Sequence, residues 1–146
     1  MKILFLLFLA AYAAQYSFSQ ESIKIKPNGW YAIKVPETDI TDREPIVTVT
    51  DFEKIQIDSI INSSGIMVYQ IIGKIKEEKI NVWADATEKS IGNQIGFIYD
   101  GHIIASPKVN QRIDSGNFAI STNTKVDLKQ IYNLIYQEMI ESTTSK

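Results

Sequence analysis

The chain has 146 residues, of which 45% are hydrophobic and 22% are charged, and its formal net charge is -2. This length suits a single domain, and the composition is typical of a globular protein rather than a disordered one. The lysines are scattered, so no basic stripe is available for nucleic-acid phosphates. Because the chain has no cysteine, thiol catalysis, cysteine-ligated zinc, disulfide bonds and a cysteine-linked lipid anchor are excluded.

The first residues have the pattern of a secretory signal peptide. Lys2 precedes an apolar run over residues 3–14, and small residues follow that run. The run is shorter than the roughly 20 residues that a transmembrane helix needs. We therefore predict a signal peptide over residues 1–19, with cleavage just before Gln20 and a second choice after Ala13. The expected product is soluble and either periplasmic or secreted, with no membrane span after cleavage.

Short strands and loops are predicted after the signal peptide. The alternation of Ile23–Lys26 predicts an edge strand. A second strand, Trp30–Val35, follows the turn residues 27–29. Residues 36–45 are polar and bracketed by prolines, which favours an exposed loop. Residues 46–50 are β-branched throughout and predict another strand.

The middle of the chain combines one ambiguous segment with a strand and a helix. Residues 51–55 fit no single structure, whereas the turn Ser63–Gly65 leads into an apolar strand over residues 66–75. A helix is predicted over Lys76–Ser90, since apolar residues recur there at i, i+3, i+4 and i+7. That stripe comprises Ile80, Trp83, Ala84 and Thr87. Gly92 lies where a helix end favours a left-handed residue.

A β-hairpin is predicted at Asp100–Gly101, between the apolar runs Ile95–Tyr99 and His102–Ser106. Both central positions of a type I′ turn need positive φ, which Asp tolerates and Gly adopts freely. Pro107 lacks a backbone donor and is expected to end the second strand.

The hairpin turn also predicts the pairing of its strands. Ile98 is expected opposite Ile103, and Phe97 opposite Ile104. Because successive side chains point to opposite faces of a strand, bulky groups lie on both faces. This pattern favours an interior hairpin that helices cover on at least one side.

The last elements are a strand and the clearest helix of the chain. The turn Ser115–Gly116 precedes a strand, Phe118–Ile120, and a helix is predicted over Lys125–Ile140. Thr124 and Asp127 have the spacing of an N-terminal capping pair. The apolar stripe of the helix comprises Leu128, Ile131, Tyr132, Ile135 and Met139. Together the elements predict an α+β fold, a mostly antiparallel β-sheet with two main helices packed on one face.

His102 is the only histidine and would be the first candidate for a catalytic base. A catalytic triad needs a nucleophile in contact with the histidine. Ser106 lies four residues along the same predicted strand, over about 12 Å away at the rise of a β-strand. We therefore interpret His102 as an exposed residue beside the turn.

The remaining polar and aromatic residues do not form a convincing site. Asp39, Asp42 and Glu44 could offer oxygen ligands to Ca²⁺, but their spacing matches no calcium loop and a solvated acidic loop is preferred. Core packing is preferred over a carbohydrate platform for three aromatic residues, Trp30, Tyr31 and Tyr99. No glycine-rich phosphate loop is present. We predict no catalytic, metal or cofactor site and no enzymatic activity.

The order of turns and strands in the second half resembles a known family. The pattern is a Gly, an apolar strand, Asp-Gly, a second strand, Ser-Pro, a spacer, a Gly and a further strand. The residues that carry it are Trp83, Thr87, Gly92, Asp100, Gly101, Ser106, Pro107, Ile113 and Gly116. This arrangement is similar to the head subdomain of the first periplasmic domain of SecD/SecDF, over about Ile40 to Ile140.

The resemblance implies a domain organisation and a class of partner. The head-like domain would span residues 40–141, after a strand region at 20–39 and before a polar, frayed tail at 142–146. SecD/SecDF proteins assist Sec-dependent export, and their head is thought to engage translocating preproteins. The implied partners are polypeptides, among them exported chains or components of the Sec translocon. Ile23–Lys26 is a candidate edge for pairing with an extended chain.

Two alternatives remain beside an export-associated binding module. One is a secreted inhibitor or immunity-type protein that binds one specific partner, and the other, disfavoured by the residue set, is an enzyme. Full SecD/SecDF proteins couple the head to proton flow through transmembrane helices. No such helix is predicted after the signal peptide, so a proton-driven motor is not expected.

Overall fold

The computed structural model of the chain describes residues 26–33, 44–122 and 126–145. The helices and strands in these ranges are β1 (Gly29–Ile33), β2 (Val47–Thr48), β3 (Phe52–Ile61), β4 (Met67–Ile75), α1 (Ile80–Lys89), β5 (Gln94–Tyr99), β6 (His102–Ala105), β7 (Asn117–Ser121) and α2 (Leu128–Thr144). The predicted signal peptide, most of the Ile23–Lys26 segment and most of the loop at 36–45 lie outside the described residues. The predicted α+β class is confirmed, with the strands divided between two antiparallel sheets.

The first sheet has the strand order β2-β1-β5-β6. Trp30 in β1 lies opposite Phe97 on one side and Val47 on the other. The strand predicted over residues 46–50 is wrong in length, since β2 covers two residues and a 3-10 turn follows at Val49–Asp51. The Asp51 carboxylate accepts a hydrogen bond from the Thr48 backbone N–H at 2.8 Å. That bond bends the chain despite the β propensity of its residues.

The predicted turn at Asp100–Gly101 is confirmed, with positive φ angles of 48° and 74°. The pair Ile98 with Ile103 is also confirmed. The pair Phe97 with Ile104 is wrong, because a bulge between Phe97 and Ile98 shifts the register and places Phe97 opposite Ala105. Ile104 and Ala105 are both buried as a result. The hairpin is interior only in part, since β6 lies at the edge of the sheet.

The second sheet has the strand order β3-β4-β7. β3 was not predicted, although it is the longest strand of the described residues and follows the ambiguous segment at 51–55. The turn at Ser63–Gly65 is confirmed and joins β3 to β4, with φ of 75° at Gly65. The predicted strand around Phe118 is confirmed as β7, which pairs with β4 through Ile71 and Ile120.

The two sheets face each other across an aromatic core. From the first sheet, the ring of Trp30 lies 5.4 Å from Phe97 and 6.0 Å from Phe118 in the second sheet. Phe118 lies in turn 4.4 Å from Phe52. Trp83 of α1 completes the cluster at 5.7 Å from Trp30. These five rings are nearly inaccessible to water, so they provide a large share of the apolar burial that stabilises the fold.

Both predicted helices are present, with shifted ends. α1 begins at Ile80, after a 3-10 turn at Glu77–Lys79, and buries the predicted Trp83, Ala84 and Thr87. α2 packs against β3 and β4. Its predicted apolar stripe is confirmed, because all five of its residues belong to the core or pack against it.

The capping pair predicted for α2 is corrected by the structure. Asp127 is itself the N-cap, and its carboxylate accepts from the backbone N–H groups of Lys129 at 3.0 Å and Gln130 at 3.3 Å. The helix therefore begins at Leu128 rather than at Lys125, while Thr124 lies outside the described residues. α2 also continues to Thr144, so the expected frayed tail is helical there.

Candidate functional site

The tip of the β3–β4 hairpin exposes a group of apolar side chains. Ile60, Ile61, Ile66 and Met67, which we call the apolar tip, are exposed by 43%, 72%, 60% and 59%. Ile61 and Met67 are direct cross-strand partners, so their side chains share one face. Contiguous exposed apolar groups of this kind mark interaction surfaces in soluble proteins.

The turn beneath the apolar tip is held by one asparagine. The side-chain oxygen of Asn62 accepts hydrogen bonds from the backbone N–H groups of Ser64 and Ile66, each at 3.0 Å. The backbone of Asn62 bonds Ile66 and Gly65 at 2.9 Å. Since these bonds close the turn, the apolar side chains project from a defined hairpin rather than from a long loop.

β3 forms one edge of the second sheet. Within the described residues it pairs with β4 and with no strand on its other side. The bond from the Asn62 N–H to the Ile66 oxygen makes this a hydrogen-bonded pair. Because such pairs alternate along an antiparallel ladder, the odd-numbered residues from Ile55 to Ile61 direct their N–H and C=O groups outward, and the alternation ends at the bulge between Phe52 and Lys54. The Ser59 N–H is one of them, and it is occupied by the side chain of Asp58 at 2.9 Å.

A cleft of about 510 Å³ lies between α1, β7 and the segment that connects β6 to β7. Its walls include Trp30, Trp83, Val109, Ile113 and Phe118. The indole N–H of Trp30 is buried and has no hydrogen-bond partner among the described residues. The cleft walls are thus largely apolar.

One arginine pins the connecting segment to α1. Arg112 contacts the carboxylates of Asp85 at 2.9 Å, Glu88 at 2.8 Å and Asp114 at 2.6 Å. The hydrogen bonds that Arg112 donates to Asp114 and Asp85 raise its pKa, so it stays charged at any working pH. The Ile113 N–H also donates to the Thr87 hydroxyl at 3.0 Å. These contacts keep the cleft wall in place beside the helix.

A second polar cluster joins the end of α2 to the turn at Asp100. The Asn28 side chain accepts from the Asp100 N–H at 2.7 Å and donates to the Glu138 carboxylate at 2.9 Å. Burial, followed by the negative charge of Glu138, raises the pKa of Tyr99 to about 12. The phenol of Tyr99 therefore stays protonated far above neutral pH and has no role as an acid near pH 7.

The structure does not bring the candidate catalytic residues together. His102 is exposed, and its Nδ1 lies 2.8 Å from the Asp100 backbone oxygen. The Ser106 hydroxyl is buried without a partner among the described residues. Asp39 and Asp42 lie outside the described residues, and Glu44 is exposed. Across residues 26–33, 44–122 and 126–145, no group of three His, Asp or Glu side chains could hold a metal ion.

The aromatic residues considered as a carbohydrate platform are mostly core residues. Trp30 is 1% exposed and Tyr31 is fully buried, with its hydroxyl donating to the Pro27 oxygen at 2.6 Å. Tyr99 is partly buried against the core. The packing interpretation is therefore confirmed for Trp30 and Tyr31.

The residues that carry the family resemblance are spread over the fold and do not form a single site. Trp83 packs in the aromatic core, and its indole N–H lies 3.3 Å from the Asn117 backbone oxygen. Thr87 is buried on the same helix. Pro107 follows the end of β6, and positive φ angles occur at Gly92, Asp100, Gly101 and Gly116. Their roles in this structure concern turns, strand ends and packing.

Sequence reasoning missed the surface at the β3–β4 hairpin, although a signal was present. Lys54 to Asp58 alternates polar and isoleucine residues with the period of a strand, and the turn residues 62–65 follow soon after. This hairpin pattern, taken alone, predicts β3 and places the apolar tip at its end. The strand was not predicted because residues 51–55, where it begins, fit no single structure.

Comparison with known proteins identifies the family of this fold. The family model of the SecDF P1 head subdomain matches residues 34–133. The chain belongs to this family. The match includes β2 to β7, α1 and the first turns of α2, and so contains the apolar tip, the β3 edge and the cleft.

Individual relatives match shorter or more distant parts. Protein translocase subunit SecD of Desulfurispirillum indicum is 36% identical over 44 residues, which cover 30% of this chain and 8% of SecD. A solved structure of SecDF, described as a membrane component that enhances protein export, has a TM-score of 0.52 at 19% identity, covering 71% of this chain and 44% of that one. The crystal structure of SecDF in its super-membrane-facing form has a TM-score of 0.47 at 20% identity, covering 62% and 11%.

The chain therefore spans less than half the length of each of these relatives. The structural likeness shows a common fold. In the part of the chain that the structure describes, no helix has both the length and the apolar character needed to cross a bilayer.

Proposed function

We propose that this chain is a non-enzymatic, extracytoplasmic protein-binding module that is accessory to Sec-dependent export and contacts polypeptides. Family membership supports the link with export, since the matching family is the P1 head of SecDF. One structural relative, SecDF, is described as a membrane component that enhances protein export. The expected location is the periplasm or the exterior, after cleavage of the signal peptide predicted over residues 1–19.

The observation that carries the proposal is the apolar tip. Its four side chains are between 43% and 72% exposed on a hairpin with a closed turn. An exported chain exposes apolar residues until it folds, and these would bury surface against the tip. Burying one such isoleucine is worth about 1.5–3 kcal/mol. Several weak contacts of this kind would suit transient binding of many sequences rather than tight binding of one.

The test is fluorescence anisotropy of a labelled secretory polypeptide that is kept permanently unfolded, titrated with the purified protein. We expect binding of the unfolded polypeptide and none of its folded form. Ile61→Lys and Ile66→Lys should each weaken the binding about tenfold, since a charge replaces buried apolar surface.

Leu134→Lys is the matched control, because Leu134 is 42% exposed on α2 and lies outside the apolar tip. It should leave the affinity unchanged. The proposal is wrong if the unfolded polypeptide does not bind, or if all three variants bind as the original protein does. A stoichiometric complex with one folded partner would instead identify the alternative, an inhibitor or immunity-type protein.

A further inference from the structure

The outward edge of β3 has a charge pattern that is complementary to itself. On the outer face of the sheet, Lys54 and Asp58 lie four positions apart, with Gln56 midway between them. Lys54 and Gln56 are exposed, and Asp58 is partly exposed. If two copies of this strand run antiparallel with Gln56 facing Gln56, Lys54 of each copy lies opposite Asp58 of the other.

We propose that β3 pairs antiparallel with β3 of a second copy of this chain, centred on Gln56, and forms a symmetric dimer. The three-stranded sheets of the two copies would join into one sheet of six strands. The segment from Lys54 to Asp58 would form the new ladder, next to the bulge between Phe52 and Lys54. This inference goes beyond the proposed function and does not rest on it, because the dimer needs no polypeptide ligand.

The hydrogen-bonding geometry permits this register. Outward-facing N–H and C=O groups belong to the odd-numbered residues, as the alternation from the Asn62–Ile66 pair requires. With Gln56 at the centre, Ile55 lies opposite Ile57, while Glu53 lies in the bulge between Phe52 and Lys54 and outside the regular ladder. Ile55 and Ile57 are both odd-numbered, so both partners present the groups that the ladder needs.

The charges of Lys54 and Asp58 favour this register over the neighbouring registers. A shift that centres the pairing on Lys54 would place two lysines face to face, and a shift that centres it on Asp58 would place two carboxylates together. Centring on Ile55 or Ile57 leaves both charges opposite uncharged residues. Only the Gln56 register makes two Lys54–Asp58 pairs, and opposite charges across strands are favourable while like charges are not.

A lysine on β4 increases the stabilisation that a negative charge beside Lys54 would provide. Lys54 lies directly opposite Lys74 in the β3–β4 pair, and like charges in that position disfavour the sheet. In the dimer, Asp58 of the second copy lies on the other side of Lys54 and offsets this repulsion. Asp58 would exchange its local bond to the Ser59 N–H for the Lys54 ammonium of the second copy.

Apolar contact adds to the charge pairing on the inner face. Ile55 and Ile57 are partly buried, and they lie on a strand that packs against α2. In the dimer, Ile55 of each copy would contact Ile57 of the other. The paired segment is short, so the interface is of the small class that forms weak, concentration-dependent complexes. Ile61, Ile66 and Met67 lie beyond the segment and stay accessible at the two ends of the dimer.

Cysteine cross-linking tests the register even if the dimer is weak. The chain has no cysteine, so Gln56→Cys introduces a single thiol. Across the symmetry axis the two Cα atoms of this non-hydrogen-bonded pair would be about 4.5 Å apart, within the range that a disulfide spans. Mild oxidation should give a covalent dimer of the purified protein.

Glu53→Cys is the matched control for this cross-link. The two Glu53 positions would lie beyond opposite ends of the paired segment, about 20 Å apart, and this variant should remain monomeric under the same oxidation. Equal cross-linking of both variants would show random collision and would overturn the register. Failure of Gln56→Cys to cross-link at any protein concentration would overturn the dimer itself.

Charge exchange, followed by sedimentation equilibrium, provides the second test. Lys54→Asp and Asp58→Lys should each weaken dimerisation about tenfold or more, because both symmetric pairs become repulsive. The double variant restores opposite charges and should recover the original association. Glu53→Lys is a matched control, since it changes the charge by the same amount as Asp58→Lys but lies in the bulge outside the paired segment.

The outcomes of the charge exchange are decisive in both directions. If Asp58→Lys does not weaken the dimer, the dimer uses another surface and the proposal is wrong. If the double variant associates as weakly as the single variants, the Lys54–Asp58 pairs do not explain the loss and the proposed register is wrong. Circular dichroism of each variant separates loss of the fold from loss of association. Polypeptide binding by the apolar tip is measured independently, so its failure would leave this dimer untouched.

Discussion

Gly73 and Phe118 are cross-strand partners in the second sheet, and the ring of Phe118 occupies the place that a side chain on Gly73 would fill. The ring thereby lies flat across β4 and reaches Phe52 at 4.4 Å and Trp30 at 6.0 Å. The glycine is thus a steric requirement of the aromatic core, since even one methyl group would displace Phe118.

Gly73→Ala should destabilise the protein by about 1–3 kcal/mol, the usual cost of overpacking a core. Without the clash, the same substitution in a strand would have a small stabilising effect through the unfolded chain. Urea unfolding measures the change in the free energy of unfolding. In a Phe118→Leu background the added cost should shrink, because the smaller side chain leaves room. Strict additivity of the two substitutions would contradict the steric explanation.

Thr87→Val should destabilise the protein by about 1–3 kcal/mol, because it leaves the Ile113 N–H without its acceptor. The Thr87 hydroxyl accepts from that N–H at 3.0 Å and donates to the Ala84 oxygen at 2.9 Å. Valine keeps the size of the side chain, so the change isolates the hydroxyl. Hydrogen exchange should also show faster opening at Ile113.

Thr87→Ser is the control, since it retains the hydroxyl and loses only a methyl group. It should keep the slow exchange of the Ile113 amide. Equal acceleration in both variants would mean that packing, rather than the hydrogen bond, holds the segment beside α1.

Asp127→Ala should destabilise the protein by about 1 kcal/mol through loss of the N-cap of α2. The carboxylate accepts from the N–H groups of Lys129 and Gln130, which have no partner within the helix. Thermal unfolding followed by circular dichroism measures the loss. Asp127→Asn can still accept both bonds and should stay close to the original stability. A large effect of Asn would point to the negative charge rather than to capping.

Stability should fall as the pH rises from about 10 towards 12, because the pKa of Tyr99 is raised from 10.0 to about 12 in the folded protein. Within this window the unfolded chain releases a proton that the folded chain retains. The unfolded state then binds fewer protons, so the free energy of unfolding decreases with pH. Burial raises the pKa of Tyr31 in the same direction, so its phenol adds to the decline.

Tyr99→Phe removes one titrating group and should make the alkaline decline of stability shallower. Tyr136→Phe is a suitable control, since Tyr136 is 46% exposed, and it should leave the decline unchanged. Glu138→Gln should lower the pKa of Tyr99, measured by phenolate absorbance, because it removes a nearby negative charge. An unaltered titration in that variant would show that Glu138 does not contribute to the shift.

Local chemistry was sufficient to predict many elements from the sequence. Asp100–Gly101 specifies its turn because few residues adopt positive φ twice in succession, and the structure has that turn. The apolar stripe of α2 follows from its helical period. The burial of Trp83 follows from its position in the apolar stripe of α1. The order of these signals along the chain was enough to indicate the SecDF P1 head family.

Other features depend on contacts between distant segments, which no local pattern contains. The bulge between Phe97 and Ile98 accompanies the burial of two consecutive residues, Ile104 and Ala105, which a regular alternating strand would not place in one core. Asp127 rather than Thr124 starts the helix, because the cap position depends on where α2 meets the sheets.

The candidate surface is decided by the tertiary structure for the same reason. The residues of the apolar tip are as hydrophobic as those of the core, and composition alone would bury them. Only the fold leaves β3 at the edge of its sheet and its hairpin without a cover among the described residues. The sequence by itself determines the turns, the helical stripes and the family, because these depend on neighbouring residues. The tertiary structure decides which apolar strand meets water, because this depends on what packs against it.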